Sequence, residues 1–296
     1  MEFKVQSNVV EVKEIVSQKV DWGTIAMMAP QACRLTKGKG VKVAILDTGI
    51  DKTHPDLAPN LKGGINFAAG NMSAFDDRQG HGTHCAGIIA GCDNDIGIVG
   101  IAPQADIYAV KVLGDDGTGS LTNIIRAIDW CIQTKMDVIS MSLGGSGSPP
   151  PAFHEVFKRA HAANIPVIVA TDNENEEVSY PAAYPETIAV GAMNERFELA
   201  TFSNHGKTLD VMAPGVDICS TLPVNAYGKM SGTSMATPMV AGAVALYIAH
   251  KRSKGESYTV QQIHNAIKES AVDLGIEGYD TVTGHGLLNL SKLLSL

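Results

Sequence analysis

Residues 231–238, Ser-Gly-Thr-Ser-Met-Ala-Thr-Pro, place one serine hydroxyl just ahead of an apolar helical pattern that runs from Met239 to His250. A free hydroxyl is a poor nucleophile, so Ser234 would need a positioned base, an acid to orient that base, and donors for a developing oxyanion. Gly232 lets the backbone approach a substrate, and a helix that begins at Ser234 directs its unpaired N–H groups at negative charge. Taken alone, the octet is equally typical of a Ser/Thr helix cap.

Two further stretches could supply the missing groups. Asp47 follows the apolar run 41–46, and open α/β sheets place their sites at the carboxyl ends of buried strands. His81 lies in the stretch Gly-His-Gly-Thr-His at residues 80–84, which opens a short helix through Ala90. The order Asp47, His81, Ser234 therefore offers the orienting acid, the base and the nucleophile of acyl transfer.

The elements that must position these side chains alternate between strand and helix along the chain. This alternation predicts a single doubly wound α/β domain, with a mostly parallel central sheet and helices on both faces. The predicted strands are 41–46, 105–113, 136–143, 165–171 and 187–193, with a short one possible at 9–12. The predicted helices are one capped by Ser120, one from Pro151 to about Ala163, the one after Ser234, and one over 259–271.

Composition limits the function classes. The 296 residues are 45% hydrophobic, and no stretch approaches the ~18 continuous apolar residues of a membrane span. A net charge of −8 without a basic run disfavours a nucleic-acid or anionic-membrane partner. Five scattered cysteines without Cys-x-x-Cys spacing indicate neither a zinc site nor a full disulfide framework.

The three motifs together resemble those of the subtilisin-like serine proteases, the subtilases. The family's Asp motif matches residues 47–49, its His motif residues 80–84 and its Ser motif residues 232–238, and the similarity runs from about Val20 to the C-terminus. The resemblance implies a serine endopeptidase that works through an acyl-enzyme, with His81 rather than His84 as the base. It also implies that Asn173 is the side-chain oxyanion donor and that Tyr180-Pro181 is a tight turn with a cis proline.

Polypeptide substrates should then bind as an added strand, backbone to backbone, along two edges. By resemblance these edges form the walls of the S4 and S1 subsites; their residues are Gly117, Thr118 and Gly119 on one side, and Ser142, Leu143, Gly144 and Gly145 on the other. The second wall of S1 runs from Ala170 to Asn173 and carries Asp172 where the family commonly has Gly. A carboxylate there predicts a preference for basic P1 residues; in the alternative, Asp172 points to solvent and the pocket stays apolar.

A calcium site is predicted from the polar loop 92–98, which offers oxygen ligands and a Gly for a sharp bend. In subtilisins the matching loop holds calcium together with a Gln near the mature start and an Asp after the catalytic one. The resemblance assigns the ligands to the side chains of Gln18, Asp56 and Asn94 and the carbonyls of Cys92, Ile96 and Ile98.

Residues 1–17 are predicted to be an N-terminal extension or the remnant of an inhibitory propeptide, and residues 18–296 the catalytic domain. No signal sequence is apparent in residues 1–18, which fits both a cytoplasmic enzyme and a mature extracellular one whose signal and prodomain have been removed.

Three alternatives compete with a protease. A catalytically impaired subtilase could serve as a binding protein. An α/β-hydrolase esterase could pair Ser234 with Asp273 or Asp280 and His285, but its nucleophile elbow needs a buried strand before the serine, and residues 227–231 are expected to be polar and irregular. A nucleotide-binding module could be argued from the glycines of 114–119, which do not form the full dinucleotide fingerprint.

Overall fold

The computed structural model describes residues 2–5, 9–13, 15, 17–145 and 147–295. The strands are β1 (Glu2–Lys4), β2 (Val9–Lys13), β3 (Lys42–Asp47), β4 (Leu61–Asn66), β5 (Asp106–Lys111), β6 (Thr118–Ser120), β7 (Val138–Met141), β8 (Gly144–Gly145), β9 (Val167–Ala170), β10 (Thr187–Met193), β11 (Val211–Pro214), β12 (Ile218–Leu222) and β13 (Ala226–Met230). The helices are α1 (Trp22–Ala26), α2 (Ala29–Ala32), α3 (His81–Ala90), α4 (Leu121–Gln133), α5 (Pro151–Ala162), α6 (Thr233–Ser253), α7 (Val260–Ser270) and α8 (Leu290–Leu293).

A seven-stranded sheet forms the centre, in the order β11-β10-β9-β7-β3-β5-β4, and every neighbouring pair in it is parallel. Strands β7, β9 and β10 are buried at every position, as expected for parallel strands covered on both faces. Helices α3 and α6 pack on each other and on the sheet, while α4 and α5 pack on each other and on strands β3 and β9. The predicted doubly wound α/β domain is confirmed.

The helix ends follow the sequence signals. Ser120 caps α4 by accepting a hydrogen bond from the Asn123 N–H at 3.3 Å, and Thr259 and Gln262 form a capping box at the start of α7. Among the helices of the described ranges, none is both long and apolar enough to cross a membrane.

Two small antiparallel sheets flank the central one. In the first, β13 pairs with β12 and β2, so the prediction that residues 227–231 are irregular was wrong for most of that stretch. Tyr227, Gly228 and Met230 of β13 are buried, and Ala226 and Lys229 are partly exposed, so the strand tolerates a polar residue such as Lys229. This strand lies outside the central parallel sheet, so it does not supply the buried strand of a nucleophile elbow.

The second small sheet contains a strand that the sequence analysis missed. Strand β1 lies between β6 and β8 and is antiparallel to both. It thereby joins the two edges that were predicted to bind substrate.

Candidate active site

Asp47 and His81 form a buried pair. Asp47 ends β3, His81 begins α3, and both residues are 0% exposed. His81 Nδ1 lies 2.8 Å from Asp47 Oδ1 and 2.9 Å from Oδ2, so its N–H donates to the carboxylate. Burial on its own lowers the pKa of His81, but the charge and hydrogen bond of the facing Asp47 carboxylate, together with those of Cys85, outweigh burial, and the pKa lies well above the ordinary value. This geometry fixes the ring with Nε2 directed away from Asp47.

The first turn of α3 is held by Asp77, a residue that the sequence analysis missed. Asp77 is 5% exposed; Oδ1 accepts from Thr48 Oγ1 at 3.0 Å and from the Gly80 N–H at 2.9 Å, while Oδ2 accepts from the Thr83 N–H at 2.9 Å. It therefore satisfies N–H groups that a helix start leaves unpaired and ties them to the residue after Asp47. An acid three residues before Gly80 was the available sequence signal for this cap.

Ser234 is the second residue of α6 and is 3% exposed. Pro238 stands four residues later and has no N–H to donate to the Ser234 carbonyl. That carbonyl accepts instead from Ser142 Oγ at 2.8 Å and from Cys85 Sγ at 3.5 Å. These two hydrogen bonds connect the Ser234 carbonyl to the segment between β7 and β8 and to helix α3.

The serine hydroxyl donates to the carbonyl of Ser142 at 3.2 Å. His81 Nε2 is buried and has no hydrogen-bond partner within the described ranges. The Ser234–His81 hydrogen bond is therefore not made in this conformation, as is common before substrate binds.

Asn173 is oriented toward the start of α6. Its Oδ1 accepts from the Thr233 N–H at 2.8 Å and from Thr233 Oγ1 at 3.1 Å. Because a backbone N–H donates only to an acceptor, the side-chain atom facing Thr233 is the amide oxygen. The NH₂ group of Asn173 therefore lies on the opposite side. The Asn173 amide thus lies at the beginning of the helix that carries Ser234.

His84 and Cys85 lie beside the pair. His84 Nε2 donates to the Gly228 carbonyl at 3.0 Å, and burial lowers the pKa of this ring to about 3, so His84 stays neutral and links α3 to β13. Cys85 Sγ lies 3.9 Å from His81 Nδ1, and burial raises the pKa of its thiol. Neither group is poised to act as base or nucleophile.

The two edges predicted to bind substrate lie on either side of a cleft, and strand β1 occupies it between β6 and β8. Phe3 is paired with Gly119 and Gly145, and Lys4 with Thr118 and Gly144. Phe3 is 0% exposed, and its ring centroid lies 5.3 Å from that of Phe153. The Val5 N–H donates to the Gly117 carbonyl at 3.1 Å.

The second wall of the cleft begins at Ala170, the last residue of β9, and continues to Asp172 and Asn173. Asp172 has φ 79°, a left-handed conformation that suits Gly and that Asp tolerates better than most residues. The peptide bond between Tyr180 and Pro181 is cis, as predicted.

The predicted calcium ligands are brought into contact with one another. Gln18 Nε2 donates to the Cys92 carbonyl at 2.7 Å, and Asn94 Nδ2 donates to Asp56 Oδ1 at 3.0 Å. Asp56 is 0% exposed, and its Oδ2 also accepts from the Ile98 N–H at 2.9 Å and from the Tyr227 hydroxyl at 3.0 Å. The Ile96 N–H reaches Asn94 Oδ1 at 3.3 Å.

The side chains that an esterase triad would need have other partners. The Asp280 carboxylate accepts from the Thr283 backbone N–H and hydroxyl, each at 2.8 Å, and Asp273 Oδ2 accepts from the Gly278 N–H at 2.6 Å. The His285 ring lies 5.1 Å from the ring of Tyr279. His81, in contrast to His285, has its ring hydrogen-bonded to a buried carboxylate, that of Asp47.

Comparison with known proteins agrees with this geometry. Residues 38–286 match the profile of the Subtilase family. Subtilisin E from Bacillus subtilis strain 168 is 45% identical over 281 residues, covering 93% of this chain and 71% of that protein. A subtilisin from Bacillus pumilus is 45% identical with 98% of its length covered, and subtilisin BL from Lederbergia lenta is 44% identical with 98% covered.

Proposed function

Because this chain belongs to the subtilase family and is a subtilisin-type serine endopeptidase, we propose that Asp47, His81 and Ser234 are its catalytic triad. The observation that carries the proposal is the buried Asp47–His81 pair beside the helix that starts with Ser234. Asn173 and the Ser234 backbone N–H are proposed as the oxyanion donors. The intact pair argues against an impaired subtilase kept only for binding.

Each residue has one task in the proposed reaction. Neutral His81 takes the Ser234 hydroxyl proton at Nε2 as Oγ forms a bond to the substrate carbonyl carbon. The tetrahedral oxyanion receives hydrogen bonds from the Asn173 amide and the helix start, where the dipole favours negative charge. His81 then gives the proton to the leaving amine, and water attacks the acyl-enzyme by the reverse route. Asp47 holds the Nδ1–H and stabilises the imidazolium.

Reaction with a serine-directed fluorophosphonate tests the assignment. We expect one covalent label on the unmodified chain and none on Ser234→Ala. Ser234→Ala and His81→Ala should each abolish peptide hydrolysis while preserving the folded circular dichroism spectrum. The double variant should be no worse than the single ones, because the triad acts as a unit. Strictly additive losses would contradict the proposal.

The position of β1 supports a further part of the proposal, that residues 1–17 are an inhibitory N-terminal extension of the catalytic domain 18–296. A substrate strand would use the same edges that β1 uses, so the two compete for Gly119 and Gly144. Phe3 adds a buried apolar anchor to the backbone pairing. Polypeptide substrates therefore gain access only when this segment leaves or is cut.

Calcium is proposed as a structural ion held by Gln18, Asp56, Cys92, Asn94, Ile96 and Ile98. Asp56 is a fully buried carboxylate whose hydrogen-bond partners, the groups of Asn94, Ile98 and Tyr227, are all neutral. A buried charge is costly without an opposite one, and a cation would supply it. Gln18 and Asn94 each carry an amide oxygen, and a carboxylate with amide and carbonyl oxygens is the ligand set that Ca²⁺ prefers.

A further inference from the structure

Asp172 points into the substrate cleft and not to solvent. It is 7% exposed, and Ser179 Oγ donates to its carboxylate. A Cβ built on Gly144 would lie 1.8 Å from Asp172 Oδ1 and 2.0 Å from Oδ2, so the carboxylate is in direct contact with the Cα of Gly144. Asp172 therefore bridges the two walls of the predicted S1 subsite and fills the space that a large apolar P1 side chain would need.

The cleft beside Asp172 is strongly acidic. It has a volume of about 430 Å³, with Gly144, Ser179 and Tyr180 among its lining residues. Four carboxylates of the catalytic domain line it, those of Asp172, Glu174, Glu176 and Glu177. Burial raises the pKa of Asp172 to about 6, so near pH 7 this largely desolvated carboxylate is mostly ionised.

The chain itself supplies a cation to this cleft. Lys4 lines it together with Asp172, and the Lys4 ammonium acts on Asp172 in the direction that favours the ionised carboxylate. Lys4 comes from β1, which is paired in the cleft as a substrate strand would be. A positive side chain on such a strand therefore reaches the acidic cleft, which Glu2 of the same strand also lines.

The strand register relates the position opposite Gly144 to the position nearest Ser234. In β1, Lys4 is opposite Gly144. Because the pairing is antiparallel, the residue two positions further along a substrate strand would be opposite Ser142, whose carbonyl accepts the Ser234 hydroxyl hydrogen bond. We infer that this residue is P1, because it is the one nearest Ser234, and that the residue opposite Gly144 is P3. Side chains two positions apart share a face of a strand, so P1 and Lys4 point to the same side.

We propose that Asp172 is a specificity-determining residue that makes the S1 pocket select a Lys or Arg side chain at P1. The proposal rests on the proposed catalytic function. The Asp172 carboxylate occupies space in the pocket that an aromatic side chain would need. It offers a charge-assisted hydrogen bond to a long cationic side chain. The three glutamates raise the local cation concentration and repel acidic P1 residues.

The proposal is tested by measuring kcat/KM for peptides that have Ala at P3 and differ only at P1, which is Lys, Arg, norleucine, Phe or Glu. Norleucine matches the aliphatic stem of Lys without its charge. We expect Lys to exceed norleucine at least tenfold at low salt and by less at 1 M salt. Asp172→Asn should reduce this ratio at least fivefold, and Asp172→Gly, which suits the left-handed backbone, should reduce it and increase cleavage after Phe. Glu195→Gln removes an exposed acid outside the cleft and should leave the ratio unchanged.

Active-site titration with the fluorophosphonate separates the two possible failures. If the variants are labelled at Ser234 and cleave the norleucine peptide, but the Lys to norleucine ratio is near one or is unaffected at Asp172, the specificity proposal is wrong and the catalytic one stands. If Ser234→Ala is labelled as strongly as the unmodified chain, the catalytic proposal is wrong.

Discussion

At Ser234, a local irregularity of the helix becomes a tertiary link. Because Pro238 has no N–H, the Ser234 carbonyl makes no hydrogen bond within the helix at that position. It accepts hydrogen bonds from Ser142 and Cys85 instead. The Ser234 hydroxyl in turn donates to the Ser142 carbonyl, so the two serines exchange a reciprocal pair of hydrogen bonds. Release of the hydroxyl from Ser142 toward His81 is the rearrangement needed before attack.

The charge on His81 sets the pH dependence. The proposed base is the neutral imidazole, and the facing Asp47 carboxylate raises the pKa of His81 even though burial opposes it. Activity should therefore rise with pH, with its midpoint above the ordinary histidine value of about 6.5. Asp47→Asn removes that carboxylate, so the midpoint should fall and kcat should drop by about 10⁴-fold.

The measurement is kcat/KM from pH 5 to 10 with a P1 norleucine peptide, because a neutral P1 residue limits the influence of Asp172 titration. A flat profile between pH 5 and 9 would count against His81 as the base.

At the scale of elements, helix α3 positions the proposed catalytic histidine, His81, through the hydrogen bonds at its N-terminus. Asp77 links the first turn of the helix to Thr48, and Gly82, whose added Cβ would lie 2.1 Å from the Gly49 carbonyl oxygen, lets the helix approach the end of β3. Both contacts act on the distance between His81 and Asp47. We therefore assign Asp77 a positioning role.

Asp77→Asn should lower kcat more than it raises KM, because the residue touches the helix and not the substrate. Loss of charge-assisted bonds to buried donors should also cost about 2 kcal/mol of unfolding free energy. Asp76→Asn is the matched control, since this exposed neighbour pairs with Lys52 at 2.8 Å, and it should change neither quantity much. Equal effects of the two substitutions in urea unfolding and in kcat would contradict the positioning role.

The loop 92–98 should respond to calcium. An ion bound only by the folded state adds RT ln(1 + [L]/Kd), about 2.7 kcal/mol at 100 times Kd. EDTA should lower Tm and accelerate autolysis, and Asp56→Ala or Asn94→Ala should remove most of the difference. Asp93→Asn alters an exposed acid of the same loop that pairs with Lys37. This variant should keep the difference in Tm and autolysis between calcium and EDTA. If chelation changes neither Tm nor autolysis, the calcium assignment is wrong.

At the scale of the whole molecule, the N-terminal segment connects the predicted substrate cleft to strand β13, which precedes Ser234. Strand β1 pairs with β6 and β8, and β2 pairs with β13, whose last residue is four positions before Ser234. One segment thus contacts both the predicted substrate edges and the strand that precedes the proposed nucleophile. Release of the N-terminal segment would break the pairings of β1 with β6 and β8 and of β2 with β13.

Phe3→Asp should weaken this docking, because a buried aromatic side chain contributes about 3–5 kcal/mol. We expect at least tenfold higher initial kcat/KM on short peptides per titrated active site. Glu2→Gln, an exposed position of the same strand, should behave as the unmodified chain. Intact mass should show loss of residues 1–17 with time in the active enzyme and a full-length Ser234→Ala chain. No activation in Phe3→Asp, with the N-terminus intact and the sites titrated in full, would overturn the inhibitory role.

The sequence by itself determined the fold class and the identity of the three proposed catalytic residues. Buried parallel strands are continuous apolar runs, and Asp47, His81 and Ser234 lie in short motifs at strand and helix ends, so both signals are local. The same holds for the Ser120 and Thr259 caps, where one side chain meets a backbone group three residues away.

Only the tertiary structure decided which distant groups meet. Strand β1 is three residues long, with a single buried side chain, and its partners are more than 110 positions away, so no local periodicity reveals it. The role of Asp77 depends on Thr48 approaching it from another element. The direction of Asp172, open on the sequence alone, follows from its left-handed backbone and from Gly144, which has no side chain to exclude the carboxylate. Long-range packing sets these contacts, and residue spacing does not encode it.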